Sequence, residues 1–227
     1  MKKQVFVVSC SPRSGSSMLQ RLLMSHPDMF MWGEARWVIR HVAELCKSYN
    51  ARKSSTIRGS WNNLKKDGPI VGWYATLMPM VNMEQLAARW LNDMLKHPKK
   101  PGGSWGCKFV LLRPEHVEFL HEIFPDAGFI FLERRWEQVE PSIKLRHSWW
   151  PSMTMADQRK HWETLTKFFK TTKIPGLHIH YDKITNGDDS VVGKLERYLG
   201  MNPGSLNRKV LRNKIASKKP AENTYSE

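Results

Sequence analysis

The sequence predicts an α/β fold in three layers, a mostly parallel β-sheet with helices on both of its faces. Three observations carry this expectation. Short runs rich in β-branched and aromatic residues recur near 5–8, 29–32, 106–112, 128–133 and 177–181, each the length of a strand. Between them lie segments whose apolar residues follow helical spacing. Strands alternating with helices need crossover connections, which are right-handed and bring the strands together in parallel. At 227 residues, with no internal repeat or low-complexity segment, the chain is expected to form one domain over 1–227 with a full core.

The first strand, Val5-Phe6-Val7-Val8, gives way at once to Ser9, Cys10, Ser11, Pro12, Arg13, Ser14 and Gly15, and then to Met18, Leu19, Leu22 and Leu23 at helical spacing. Strand, small-residue loop and helix together make an anion cradle. The first amides of a helix have no partner within it, and the summed peptide dipoles place partial positive charge there. Gly15 and the serines let a phosphate approach the backbone, Ser16 and Ser17 offer hydroxyls, and Arg13 offers a planar cation suited to bidentate contact. The expected ligand is a phosphorylated nucleotide. No Lys-Ser or Lys-Thr follows the glycine, so the loop is not a Walker A sequence, and a metal-dependent ATP or GTP hydrolase is disfavoured.

His26-Pro27-Asp28 stops the first helix, and Met29-Phe30-Met31-Trp32 is a second strand. Gly33-Glu34-Ala35-Arg36 then stands at the carboxyl edge, where α/β sheets bind ligands. Residues 36–47 read as weakly helical, and about 48–72 as a basic surface loop. Asn82 and Gln85 suggest a capping box for a helix to about His97, with Met83, Leu86, Ala87, Trp90, Leu91, Met94 and Leu95 on its apolar side. Pro98 and Pro101-Gly102-Gly103 end it. Residues 106–112 read as a strand or strand end, and Pro114 suits the first position of a helix to Phe124. The strand at 128–133 runs into Arg134-Arg135 and a helix carrying Ser142, Lys144 and Arg146. Trp149 and Trp150 fall in the break before a helix over 154–170. Leu177, Ile179 and Tyr181 alternate as a strand, and Val191, Val192, Leu195, Tyr198 and Leu199 mark a last amphipathic helix.

A formal net charge of +15 says that the partner is anionic without saying which anion. Arg52, Lys53, Arg58, Lys65 and Lys66 form one basic run. Arg208, Lys209, Arg212, Lys214, Lys218 and Lys219 form another, within a basic C-terminal segment at about 203–227. Cys10, Cys46 and Cys107 are odd in number and widely spaced, which indicates neither a disulfide framework nor a zinc site; Cys10 and Cys107 read as packing residues. Mean hydropathy is −0.52, and no apolar run approaches the ~20 residues needed to span a bilayer, so a cytoplasmic protein is expected.

The run PRSGSSMLQRLLMSHPDMFMWGEAR resembles the 5′-phosphosulfate loop and following strand of sulfotransferases that use 3′-phosphoadenylyl sulfate (PAPS), in particular the tyrosylprotein branch with its PRSGTT, HP, GE and R pattern. A second stretch is similar to that family's 3′-phosphate site: Phe124-Pro125-Asp126-Ala127-Gly128-Phe129, the strand Phe129–Leu132, Arg134, and Ser142 eight residues on. An arginine at a strand edge and a hydroxyl two turns into the next helix can converge on one phosphate, and Arg146 lies one turn beyond Ser142 on the same face. Lys108 matches a family lysine, and Tyr181 in HIHYDKI resembles a tyrosine lining the nucleotide site. The resemblance spans most of 5–185. It implies a P-loop-NTPase-like sulfotransferase fold, PAPS as donor, adenosine 3′,5′-bisphosphate as product and no metal. Pro141, just before Ser142, departs from the family pattern and predicts a kinked or late-starting helix. RNKIASKKP only faintly echoes the loop that covers the nucleotide in relatives, so Lys214, Ser217 and Lys218 receive no role. Lacking the anchor and disulfides of luminal members, the chain is more like short bacterial ones.

On this resemblance Glu34 is expected to be the general base, with Arg13 and Lys108 on the phosphosulfate and its leaving oxygen. Ser14, Gly15, Ser16 and Ser17 cradle the same group, Arg134 and Ser142 hold the 3′-phosphate, Arg146 can join them, and Tyr181 lines the site. Blander readings stand beside these. Glu34 can simply pair with Arg36 or Arg13, Lys108 can be an exposed strand-end lysine, Arg135 can be surface charge, and Trp149 and Trp150 can be core rather than an acceptor wall. His26 reads as structural, and His147 as a weaker rival base. The expected reaction, of the EC 2.8.2 type, moves a sulfuryl group to an alcohol or phenol. An acidic peptide, a glycan or a small metabolite all remain open as acceptor. Alternatives are a small-molecule kinase using the same cradle and a non-enzymatic nucleic-acid binder drawn by the positive charge, the latter expected to show steep salt dependence. The sequence leaves the oligomeric state open.

Overall fold

The computed structural model describes residues 1–52, 82–100, 102–145, 153–185 and 188–212. In chain order these form β1 (Gln4–Ser9), α1 (Ser16–Met24), β2 (Met29–Trp32), α2 (Arg36–Arg52), α3 (Met83–Leu95), β3 (Ser104–Val110), α4 (Pro114–Ile123), β4 (Gly128–Glu133), α5 (Trp136–Lys144), α6 (Met155–Thr171), β5 (Gly176–His180), α7 (Tyr181–Thr185), α8 (Asp189–Leu199) and α9 (Lys209–Arg212). The described strands make one sheet in the order β2-β3-β1-β4-β5, with every neighbouring pair parallel.

Strand periodicity divides the core in two. Phe6 and Val8 share one face with Phe109, Phe129 and Phe131, under Ile39 of α2, Leu91 of α3, Leu120 of α4 and Leu165 of α6. Val5 and Val7 point the other way with Ile130 and Leu132, under Leu19, Leu22 and Leu23 of α1 and Val192, Leu195 and Leu199 of α8. The expected three layers follow directly from strands that are apolar on both faces. Register then aligns the working edge. Ser9 at the end of β1 lies opposite Val110 of β3 and Leu132 of β4, so the loops at 10–15, 111–113 and 134–135 emerge side by side.

Several expectations change in detail. The helix that begins at Arg36 continues to Arg52, so the basic loop cannot start at 48; residues 53–72, with the rest of that basic run, lie outside the described residues. On α3, Asn82 caps the helix by accepting from the Gln85 amide at 2.9 Å, but only Ala87, Leu91 and Leu95 are buried. Leu86, Trp90 and Met94, expected on the same apolar side, form an exposed stripe. The reason is helix rotation: α3 meets the core along the Ala87-Leu91-Leu95 row, and the row one residue earlier falls outside the contact. Tyr181 does not end a strand. It opens the short helix α7. Pro141 neither delays nor excludes α5, which begins at Trp136 and carries the proline inside it. Among the described residues no helix is long and apolar enough to cross a membrane.

Candidate active site

The cradle forms where the sequence places it. Gly15 is the N-cap of α1 with φ 93°, a left-handed conformation that costs an L side chain about 1–2 kcal/mol, and among the described residues no side chain caps the helix. A methyl group on Gly15 would run into the Tyr181 ring. Inside the loop, the buried Ser14 hydroxyl donates to the Ser11 carbonyl at 2.8 Å and hydrogen-bonds Ser9. These bonds turn the backbone tightly enough for Arg13 also to adopt φ 64°. The result leaves the amide end of α1 uncapped at the carboxyl edge of the sheet.

Arg13, Arg134, Ser142 and Tyr181 come together above this loop. The Arg134 guanidinium donates to the Arg13 carbonyl at 2.8 Å and lies over the Tyr181 ring, 4.2 Å from its centroid. Arg13 reaches across to donate from Nε to the Ser142 hydroxyl at 3.0 Å. Pro141 therefore does not turn Ser142 away. The Arg134 carbonyl is itself held by the Trp162 indole N–H at 2.9 Å, which fixes the β4–α5 junction against α6. Arg135 pairs with Asp182 at 3.5 Å and is otherwise at the surface, as expected. Arg146, His147, Trp149, Trp150, Lys214, Ser217 and Lys218 lie outside the described residues.

Glu34 and Lys108 meet on the other side of the cradle. Lys108 is not an exposed strand-end residue. It sits within β3 on the α1 side of the sheet, its side chain 13% exposed, and donates to the Ser17 hydroxyl at 2.7 Å. Glu34 comes within 4.0 Å of the Lys108 ammonium. Among the described residues Glu34 makes no ion pair with Arg36 or Arg13, the partners that sequence reading offered. Burial holds the Lys108 pKa below the ordinary lysine value, and the Glu34 carboxylate acts against that shift.

Cys10 and Cys107 are fully buried, with thiols pushed up to about 11 and about 12, mainly by burial, so they pack rather than react. His26 accepts from the Asp28 amide at 3.1 Å in the turn after α1, a structural role.

A second feature escaped the sequence. Between the start of α2, the 111–116 segment and α6 lies a cleft of about 470 Å³, whose lining begins at Arg36, two residues beyond Glu34. Arg36 was visible in the GEAR run, but Arg40, Arg113, Lys160 and His161 are scattered over the sequence and meet only in three dimensions. Their one shared signal was weak: each lies on a helix, or just before one, that starts from the carboxyl edge.

Sequence comparison with curated proteins finds no match. The sulfotransferase domain of the Synechococcus PCC 7002 olefin synthase superposes with a TM-score of 0.57 at 16% identity, covering 96% of this chain and 78% of that one. A sulfotransferase from Alicyclobacillus acidocaldarius gives 0.55 at 13%, covering 97% and 88%. The sulfotransferase domain from the curacin biosynthetic pathway gives 0.53 at 16%, covering 90% and 77%. At these identities the likeness is one of fold. A sequence profile described as the sulfotransferase family matches residues 4–203, from β1 through α8 and so across every element that builds the cradle. That match does not single out the tyrosylprotein branch, but it spans most of the chain: this protein belongs to the sulfotransferase family.

Proposed function

We propose that the protein transfers a sulfuryl group from PAPS to a hydroxyl acceptor. The observation that carries this reading is the convergence, at one sheet edge, of the glycine-turned helix N-terminus, the linked Arg13, Ser142, Arg134 and Tyr181 side chains, and the Lys108 and Glu34 pair. Two anion sites side by side suit a nucleotide with phosphates at both its 5′ and 3′ positions. Arg134 supports this further, because its Nε is buried without a hydrogen-bond partner among the described residues, leaving donor capacity that they do not use.

In this reading the α1 amides, Ser14, Gly15, Ser16 and Ser17 seat the 5′-phosphosulfate, while Arg134 and Ser142 take the 3′-phosphate beside Tyr181. Glu34 removes the acceptor proton as the acceptor oxygen forms its bond to sulfur. The bond from sulfur to the bridging phosphate oxygen breaks in line, and its electron pair leaves on that oxygen. Lys108 and Arg13 offset the charge that develops there. Lys108 suits the task because its ammonium is already desolvated, so its attraction for a growing negative charge is less screened. The proton then rests on Glu34, the sulfuryl group on the acceptor oxygen, and the electron pair on the bisphosphate.

Thermal shift or calorimetry with adenosine 3′,5′-bisphosphate against ATP·Mg²⁺ tests the proposal. Stabilisation by the bisphosphate is expected. Stabilisation by ATP·Mg²⁺ alone would replace this reading with that of a kinase.

A further inference from the structure

The cleft that begins at Arg36 has a chemical character that the transfer reaction does not require. Among the described residues four cations line it, Arg36, Arg40, Arg113 and Lys160, against two acids, Glu115 and Asp157. Both acids have other work. Asp157 completes the capping box of α6, accepting from the Thr154 amide at 3.0 Å and its hydroxyl at 2.7 Å, and Glu115 sits 3.8 Å from Arg113. Arg40 is held by Glu44 at 2.8 Å. Among the described residues Arg36 and Lys160 have no carboxylate within ion-pair distance, and Arg36 lies over the Trp37 ring, 5.1 Å from its centroid.

Unpaired cations on an open convex surface would mean only solvation. On a concave wall, with Leu111, Leu112 and Met153 as apolar neighbours, they focus a positive potential into the space between them. Burial, followed by Arg113 and Arg36, pushes the His161 pKa down to about 4. The volume lies in the range of small-molecule sites rather than of macromolecular interfaces.

We infer that this cleft is the acceptor's binding site and that it selects a small hydroxy compound bearing a fixed negative charge, a carboxylate above all, held by Lys160 and Arg36. This inference rests on the sulfotransferase reading for the identity of the cleft's occupant as acceptor. Arg36 stands two residues from Glu34 in the chain, and on this inference an acceptor anchored here by its carboxylate reaches the base with its hydroxyl end. Trp37, 57% exposed at the same rim, offers a flat apolar face to an aromatic ring. A hydroxyaryl carboxylate matches the set.

The test compares 3-(4-hydroxyphenyl)propanoate with its methyl ester, by calorimetry and Trp fluorescence, on protein saturated with adenosine 3′,5′-bisphosphate. The acid is expected to bind at least about tenfold more tightly than the ester, a preference that falls with added salt. Lys160→Ala should remove most of the preference while leaving bisphosphate affinity unchanged. Equal binding of acid and ester, or a preference untouched by both Lys160→Ala and Arg36→Gln, would overturn the inference. Failure of the bisphosphate to bind at all would instead remove the sulfotransferase reading. The acid and ester comparison on the free protein would then still decide whether the cleft selects anions.

Discussion

The two halves of the sheet's carboxyl edge are built on opposite plans. Over β1 and β4 the polar groups are linked to one another: Arg134 to the Arg13 backbone and the Tyr181 ring, Arg13 to Ser142, Ser14 to Ser11. Over β2 and β3 the ties are fewer: Lys108 donates to Ser17 and stands 4.0 Å from Glu34, and among the described residues Arg36 and Lys160 of the adjoining cleft have no carboxylate within ion-pair distance. A linked network has little conformational entropy left to lose when a ligand arrives, so the first half is preorganised for one fixed partner. The second half keeps charge available for a reacting group and for an acceptor. On the proposed function, one edge thus separates recognition of the nucleotide from chemistry on the acceptor.

Substitutions can break that separation in a graded way. The largest effect is expected from Glu34→Gln, which keeps the shape but removes the proposed base. Turnover should fall by about 10²–10⁴-fold while bisphosphate affinity stays within about twofold, as read by steady-state kinetics beside calorimetry. A parallel loss of affinity would place Glu34 in the nucleotide half instead. Gly15→Ala attacks that half directly, because the left-handed turn and the Tyr181 ring both oppose a methyl group. Denaturant unfolding should show about 2–4 kcal/mol less stability, and the displaced ring should release Arg134, so bisphosphate affinity should fall as well.

The smallest effect concerns acid stability on the cleft side. His161 has a folded pKa of about 4 against an ordinary value of 6.5, so the unfolded chain binds more protons between those values. Stability therefore rises with pH from about 4 to about 6.5 and is level above. His161→Phe should flatten this part of the profile by about 2–3 kcal/mol, measured as the difference between denaturant midpoints at pH 4.5 and pH 7 in variant and parent. An unchanged slope would place the acid sensitivity elsewhere.

The comparison of halves also explains what the sequence could disclose. Contiguous features were legible. The apolar run at 5–8 followed by small residues and a helical pattern specifies a buried strand and a cradle, and Arg134 and Ser142, eight residues apart, lie within one strand-to-helix unit. Pairings between distant segments were less so. That Glu34 meets Lys108 rather than Arg36 depends on β2 lying next to β3, where Trp32 sits opposite Cys107, a neighbourhood fixed by sheet order alone. The stripe Leu86, Trp90, Met94 misled because the neighbouring stripe Ala87, Leu91, Leu95 has equal periodicity, and packing against the core chose between them. Cleft residues drawn from three helices and a loop carry no common spacing at all.

The central claim is that one half of the edge holds two phosphates of a single nucleotide, and the most direct test is to remove one of them from the ligand. Calorimetry should find adenosine 3′,5′-bisphosphate bound at least about tenfold more tightly than adenosine 5′-monophosphate, as expected for charge-assisted hydrogen bonds worth about 1.5–3 kcal/mol. Arg134→Ala should bring the two ligands to similar affinities. Equal affinity in the parent protein, or a bisphosphate advantage that survives Arg134→Ala, would contradict the account.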